Sequence, residues 1–236
     1  MTFVTGSPEV KPERPLFCSI LANTLLSVVP GISGAGATPE KTLLTPILDA
    51  ELIACGTITS MPVRPDTPTG CPTPASITRA VMELTGLSPL FINGGLVHTP
   101  TVPCLDLYGS PGSDPRFGDS VPAADDLFRK GGSIGRFLGS VSDLLVIGEC
   151  VPGGTTTSLC VLRGLGYDSF VSSSYIKNPV QMKEEVWRGS PPPGLLLFVA
   201  GRGANGGDAF VMARHARLDG ADAAILLASG RPPGGT

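Results

Sequence analysis

The chain has 236 residues, with 31 glycines, 24 prolines, 42% hydrophobic and 6% aromatic residues. That length suits one large or two small domains, and the ordinary apolar fraction excludes a collagen-like or disordered chain. The net charge of −3, with Lys and Arg scattered, excludes a protein that holds nucleic acid by a basic field.

Met1 to Arg14 is polar, contains prolines and reads as a lead-in. Pro15 to Val29 is apolar enough for a first strand, but Asn23, Thr24 and several serines make it too polar to span a bilayer. A glycine-rich loop, Pro30 to Ala37, follows. Thr38-Pro39-Glu40 has the form of a helix start: a capping hydroxyl, a proline at the first helical position and an acid in the first turn. Thr45-Pro46 repeats the signal, and Ile47 to Ile53 has helical apolar spacing that should stop at Gly56. Thr57 to Pro74 is a Pro/Thr-rich loop of a length that marks function or disorder.

Ala75 to Leu84 is an amphipathic helix closed by Gly86, and Pro89 to Ile92 is a short strand from which Asn93-Gly94-Gly95 turns away. Thr99 to Pro122 is irregular. Ala123 to Val141 is helical in pattern, with Gly131-Gly132 expected to weaken or kink it. Six cysteines form no C-x-x-C pair, and with two histidines a structural zinc site is not expected. No signal-peptide pattern opens the chain, so reduced, buried thiols in a cytoplasmic setting are the simplest reading.

The most informative stretch is Val146 to Thr157. Leu144 to Ile147 has the composition of a buried strand, and Gly153-Gly154 leads through Thr155, Thr156 and Thr157 into an apolar segment, Leu159 to Leu165, stopped by Gly166. Strand, glycine loop and helix start together aim backbone N–H groups at a phosphate. Glu149 sits at the strand's carboxyl end, where ligands gather in open parallel sheets. Spacing alone fits an ordinary strand-to-helix turn equally well. Pro179 starts a further helix reaching Trp187. Gly189 to Gly194 is a linker, and Leu195 to Ala228 reads as strand, glycine loop, helix (Asp208 to Leu218) and strand. The fold class is α/β, with a mostly parallel sheet in a three-layer Rossmann-like arrangement and a C-terminal βαβ fragment.

Several motifs in order resemble one family. They are Pro30 to Glu40, Pro72 to Ala80, Asn93-Gly94-Gly95-Leu96, the Glu149 to Thr157 loop and Val171-Ser172-Ser173-Ser174. Together, over roughly residues 12 to 187, they resemble the archaeal and cyanobacterial branch of the nicotinate-nucleotide:dimethylbenzimidazole phosphoribosyltransferases. The resemblance implies a transferase, a glycosyltransferase of cobalamin lower-ligand synthesis, that moves phosphoribose from nicotinate mononucleotide to a benzimidazole-type base. It implies no required cofactor, and small-molecule partners rather than nucleic acid or membrane. It assigns Gly153, Gly154, Thr155, Thr156 and Thr157 to a phosphate cradle and Glu149 to catalysis. It also brings Ser33, Gly34, Ser76, Thr78, Arg79, Asn93, Gly94 and Ser173 toward substrate. The family's usual general-base glutamate falls beyond the matching part.

From Leu195 to Ser229 the chain instead resembles the start of the NAD(P)H-hydrate epimerase fold. There Gly203, Asn205, Gly206, Gly207 and Asp208 would bind cofactor phosphates and K+, although Ala204 replaces a usual asparagine. The expected organisation is therefore a C-terminally incomplete phosphoribosyltransferase-like domain over 1–188, a linker over 189–194 and an epimerase-like fragment over 195–236. A non-catalytic nucleotide- or phosphate-binding fragment is the rival reading. A lone βαβ unit must extend the first domain's sheet, pair with another chain in a homo-oligomer, or stay partly disordered. His98, His215, Asp106 and Asp114 read as ordinary surface or loop residues, and Cys150 as a small buried thiol.

Overall fold

The computed structural model describes residues 12–64, 66, 70 and 72–190, together with the strands at 196–200 and 223–227. The chain divides into two compact units. The first comprises Met1–Gly154 and Ser173–Pro179, and the second Thr155–Ser172 and Val180–Thr236.

The first unit is built on a parallel sheet of β1 (Pro15–Ala22), β2 (Pro89–Gly95), β3 (Cys104–Asp106) and β4 (Leu144–Cys150). Their order is β3-β2-β1-β4, so the strand sequence reverses direction beside β1. Register sets Ser19 against Gly148 and Leu21 against Cys150. Strand alternation then divides the core. Phe17, Leu21 and Phe91 pack with Ala50, Leu52 and Ile53 of α2 (Thr45–Cys55) and with Ala75 and Met82 of α3 (Pro74–Thr85). Cys18 and Ile92, on the opposite face, meet Leu138 of α4 (Ala124–Val141). Helices on both faces of a parallel sheet make a three-layer α/β fold of Rossmann-like type, as expected.

Local signals account for most boundaries. Thr38 caps the short helix α1 (Pro39–Thr42), its hydroxyl accepting from the Lys41 N–H at 3.3 Å. Gly56 and Gly86 end α2 and α3 in the left-handed region, where a side chain would be strained. Thr45 is not a cap: α1 runs almost directly into α2, so Leu44 holds the cap position with no side-chain hydrogen bond.

Four further expectations need correction. β1 ends at Ala22, and a 3-10 turn at Leu25–Val28 takes the rest of the apolar run. β2 does not turn away at Asn93 but continues to Gly95. The Asn93 Oδ1 accepts from the Gly95 and Leu96 N–H groups at 2.9 Å each, and a side chain at Gly95 would collide with the Ser110 carbonyl. The irregular 99–122 stretch contains β3, too short to show alternation. α4 runs unbroken through Gly131-Gly132 because its packed face, not its propensity, holds it.

The apolar β4 is not a central buried strand. It forms the sheet's edge among the described residues, with Leu144 and Val146 exposed and Ile147 62% exposed. Composition reports an apolar strand but not its rank in the sheet.

The helix α5 (Gly154–Gly164) belongs to the second unit from Thr155 onward, and α6 spans Val180–Gly189 in that unit. Arg163 joins Asp168 and, at 2.8 Å, Glu184 of α6. β5 (Leu196–Ala200) and β6 (Ala223–Leu227) pair in parallel, Leu196 against Ala223, as a βαβ connection requires. The expected glycine loop at Gly203, Asn205, Gly206, Gly207 and Asp208, the helix expected after it and His215 lie outside the described residues.

Candidate functional site

A cavity of about 840 Å³ opens in the first unit between β1, β4, α2, the start of α3 and the loop after α2. It stands at the β1–β4 boundary, where the strand order reverses, which is where open parallel sheets bind ligands. Phe17, Leu21, Leu48, Ile53, Ile58 and Met61 give it apolar walls. Such a lining with a few convergent polar groups suits a flat apolar ligand. A glycine at 148 keeps the floor open, since a side chain there would press on the Phe17 ring at 3.3 Å.

Three acidic residues line this cavity, Asp49, Asp66 and Glu149. Glu149 is exposed at the wall, near the end of β4. Asp49 comes from α2 and is the more enclosed. Its Oδ1 accepts from the Thr73 hydroxyl at 3.2 Å and its Oδ2 from the Cys150 thiol at 3.5 Å. Burial holds its carboxyl above the ordinary aspartate range, while these two hydrogen bonds oppose that rise. A carboxylate raised by an apolar site is suited to accept a proton. Sequence reading passed over Asp49 because it falls between apolar residues at helical spacing, as a solvated helix face does.

The loop over the cavity is fastened from below by Glu51, which is only 3% exposed. Its Oε1 accepts from the Thr59 N–H at 2.8 Å, the Thr59 hydroxyl at 2.7 Å and the Ser60 N–H at 3.1 Å, and its Oε2 accepts from the Ser60 hydroxyl. The Ser60 and Thr59 hydrogen bonds push its carboxyl down to about 2.

The predicted site residues separate into three groups. Gly34, Thr78 and Glu149 line the cavity. Gly34 donates its N–H to Ser174 Oγ at 2.8 Å, while Ser33 and Ser173 accept from the nearby Ala35 and Tyr175 N–H groups at 3.3 and 3.0 Å. The second group serves the fold. Arg79 donates to the Ile53 and Ala54 carbonyls at 3.0 and 2.9 Å and pairs with Glu83, Ser76 lies off the cavity wall on α3, and Asn93 and Gly94 shape the end of β2. Of the loop residues, Asp114 pairs with Arg116 at 2.6 Å, and His98 is exposed.

The third group is the expected cradle. Gly153, with φ +79°, and Gly154 close the first unit's main segment; a side chain at Gly153 would sit 2.9 Å from Ser27 Cβ. Thr155, Thr156 and Thr157 belong to the second unit, in the first turns of α5. There Lys183 of α6, a residue only 1% exposed, extends its ammonium to Thr155 Oγ1 at 3.3 Å and the Ser172 carbonyl at 2.5 Å. It has no carboxylate partner among the described residues, and burial pulls it below the ordinary lysine range. The Thr156 hydroxyl is fully buried, and it and the Thr157 hydroxyl have no hydrogen-bond partner among the described residues. A helix start, an unneutralised buried cation and orphaned hydroxyls are the chemistry of an anion site. Lys183 was not foreseen, because a lone lysine on an amphipathic helix reads as surface.

A Rossmann-like α/β protein with a ligand cavity at its strand-order reversal is the class that fold and site define. Comparison with known proteins narrows it. The chain is 46% identical over 182 residues to a UPF0284 protein of Methanosarcina acetivorans, covering 76% of this chain and 52% of the relative. A UPF0284 protein of Sulfurisphaera tokodaii is 42% identical over 177 residues, covering 74% and 51%. A third, from Thermoplasma volcanium, is 38% identical over 178 residues, covering 75% and 53%. The chain thus spans about half the length of the curated relatives it matches. Residues 171–235 match the family described as YjeF-related protein N-terminus. That match supports the epimerase-like reading of the tail and begins upstream of the Gly189 to Gly194 linker. Among the described residues no helix is long and apolar enough to cross a membrane, and no three His, Cys, Asp or Glu residues group as metal ligands.

Proposed function

We propose that the chain carries the base-activating half of a phosphoribosyl transfer from nicotinate mononucleotide to a benzimidazole-type base. The observation that carries this reading is the apolar cavity with Asp49 enclosed in its wall. The unprotonated ring nitrogen of the base forms the bond to ribose C1′. The bond from C1′ to the nicotinate nitrogen breaks, and its electron pair leaves with nicotinate. The proton on the other ring nitrogen passes to Asp49. A carboxylate that burial holds above the usual aspartate range suits that transfer.

Asp49 thereby offers, within this chain, the role that the resemblance assigned to a glutamate beyond it. Glu149 faces the ribose side of the ligand in this reading. Within the second unit, taken by itself, the buried Lys183 and the threonine hydroxyls of α5 offer contacts for an anion. For the tail we propose an epimerase-like nucleotide-binding module in a cytoplasmic protein, supported by the match over 171–235.

The test is turnover of nicotinate mononucleotide and dimethylbenzimidazole, followed by mass spectrometry of α-ribazole phosphate and nicotinate. Product formation that Asp49→Asn abolishes supports the reading. Tight binding of nicotinate mononucleotide with no product from well-folded protein would replace it with a non-catalytic binding fragment.

A further inference from the structure

We infer that Cys150 is a positioning residue for Asp49: its thiol, with the Thr73 hydroxyl, orients the carboxylate and keeps it ready to accept a proton. This rests on the reading of Asp49 as the proton acceptor.

The geometry is specific. Thr73 addresses Oδ1 and Cys150 addresses Oδ2, so each carboxylate oxygen receives one neutral donor. The strand register delivers the thiol. Cys150 lies two residues beyond Gly148 on β4, on the same face, and both line the cavity. Other charged groups line the same cavity: Lys41 from α1, Arg64 and Asp66 from the loop after α2, and Glu149 beside Cys150. None forms an ion pair with Asp49 among the described residues.

That arrangement matters chemically. A guanidinium or ammonium against Asp49 would hold its carboxyl low and weaken it as a base. With no donor at all, burial would drive it further up and favour the protonated form, which cannot accept a proton. A thiol is a weak donor that falls between these limits. The thiol also keeps its proton, because burial, and then the neighbouring Asp49 charge, push it well above the ordinary cysteine range. Cys150 therefore acts as a hydrogen-bond donor and not as a nucleophile.

The experiment titrates Asp49 directly. Full-length protein with ¹³C-labelled aspartate is followed by NMR, and the Asp49 carboxyl signal is assigned from its loss in Asp49→Asn. Cys150→Ala should raise the Asp49 midpoint by about one pH unit, the scale of one lost hydrogen bond to a carboxylate. Cys150→Ser, which keeps a donor of nearly the same size, should hold the midpoint at or below the wild-type value. In the turnover assay the acid limb of kcat/KM should shift with each midpoint. An Asp49 midpoint unmoved in Cys150→Ala, or Cys150→Ser behaving like Cys150→Ala, would overturn the inference. If Cys150→Ala fails to fold, Cys150→Ser alone decides: a midpoint above wild type overturns it. The NMR titration needs no turnover. A wild-type protein that forms no product while the midpoints move as stated refutes the proposed reaction and leaves the Cys150–Asp49 coupling standing.

Discussion

Lys183 Nζ lies 3.3 Å from Thr155 Oγ1, joining α6 to the first turn of α5 within the second unit. The ammonium is buried without a counter-charge among the described residues, a costly state unless an anion completes it. Lys183→Met should therefore weaken binding of inorganic phosphate by about 10-fold or more, the scale of a lost charged hydrogen bond. It should leave the urea midpoint unchanged or raised, because a buried charge has been removed. Calorimetric titration and denaturation of the same preparations check both halves.

Asp49→Asn removes the proton acceptor while keeping size and hydrogen-bonding capacity. kcat should fall by about 10²–10⁴-fold, the usual contribution of a positioned base. KM for nicotinate mononucleotide should change little. A parallel rise in KM with unaltered kcat would assign Asp49 to substrate binding instead. Steady-state kinetics with the base at saturation separates the two.

The Glu51 carboxylate predicts an acid-sensitive cavity loop. Its folded value of about 2 lies below that of an unfolded glutamate, because the Ser60 and Thr59 donors favour the charged form. A lowered folded value means the unfolded chain binds the proton more readily, so stability falls as pH falls. The contribution is complete above about pH 4.5 and is lost progressively toward pH 2. Glu51→Gln should be less stable than wild type at pH 6, with the difference narrowing through that window. Urea midpoints measured from pH 6 to pH 2 provide the check.

Arg79 separates fold from function. Its guanidinium bonds the Ile53 and Ala54 carbonyls at the end of α2, tying α3 to α2. Arg79→Ala should destabilise the protein by about 1–3 kcal/mol, the cost of leaving such partners unmet. Affinity for dimethylbenzimidazole should stay within about twofold at a temperature where the variant is folded. A selective loss of base affinity at unchanged stability would return Arg79 to the cavity wall.

The sequence by itself determined several helix starts and stops, because those signals are local. Thr38-Pro39 opens α1, and Gly56, Gly86 and Gly166 adopt positive φ just past helix ends. Alternating strands and helices determined the parallel α/β class, and the glycine–threonine run marked a candidate anion site. Tertiary structure decided the rest. Only the order β3-β2-β1-β4 makes β4 the edge among the described residues and places the cavity beside β1. Only folding brings Cys150 to Asp49 across 101 positions of sequence, and Lys183 to Thr155 across 28. Local preference sets the conformation of a short stretch, and it is blind to which distant side chain will share a desolvated pocket. An aspartate on a helix is the same letter whether that face meets water or, as at Asp49, a thiol and an apolar cavity.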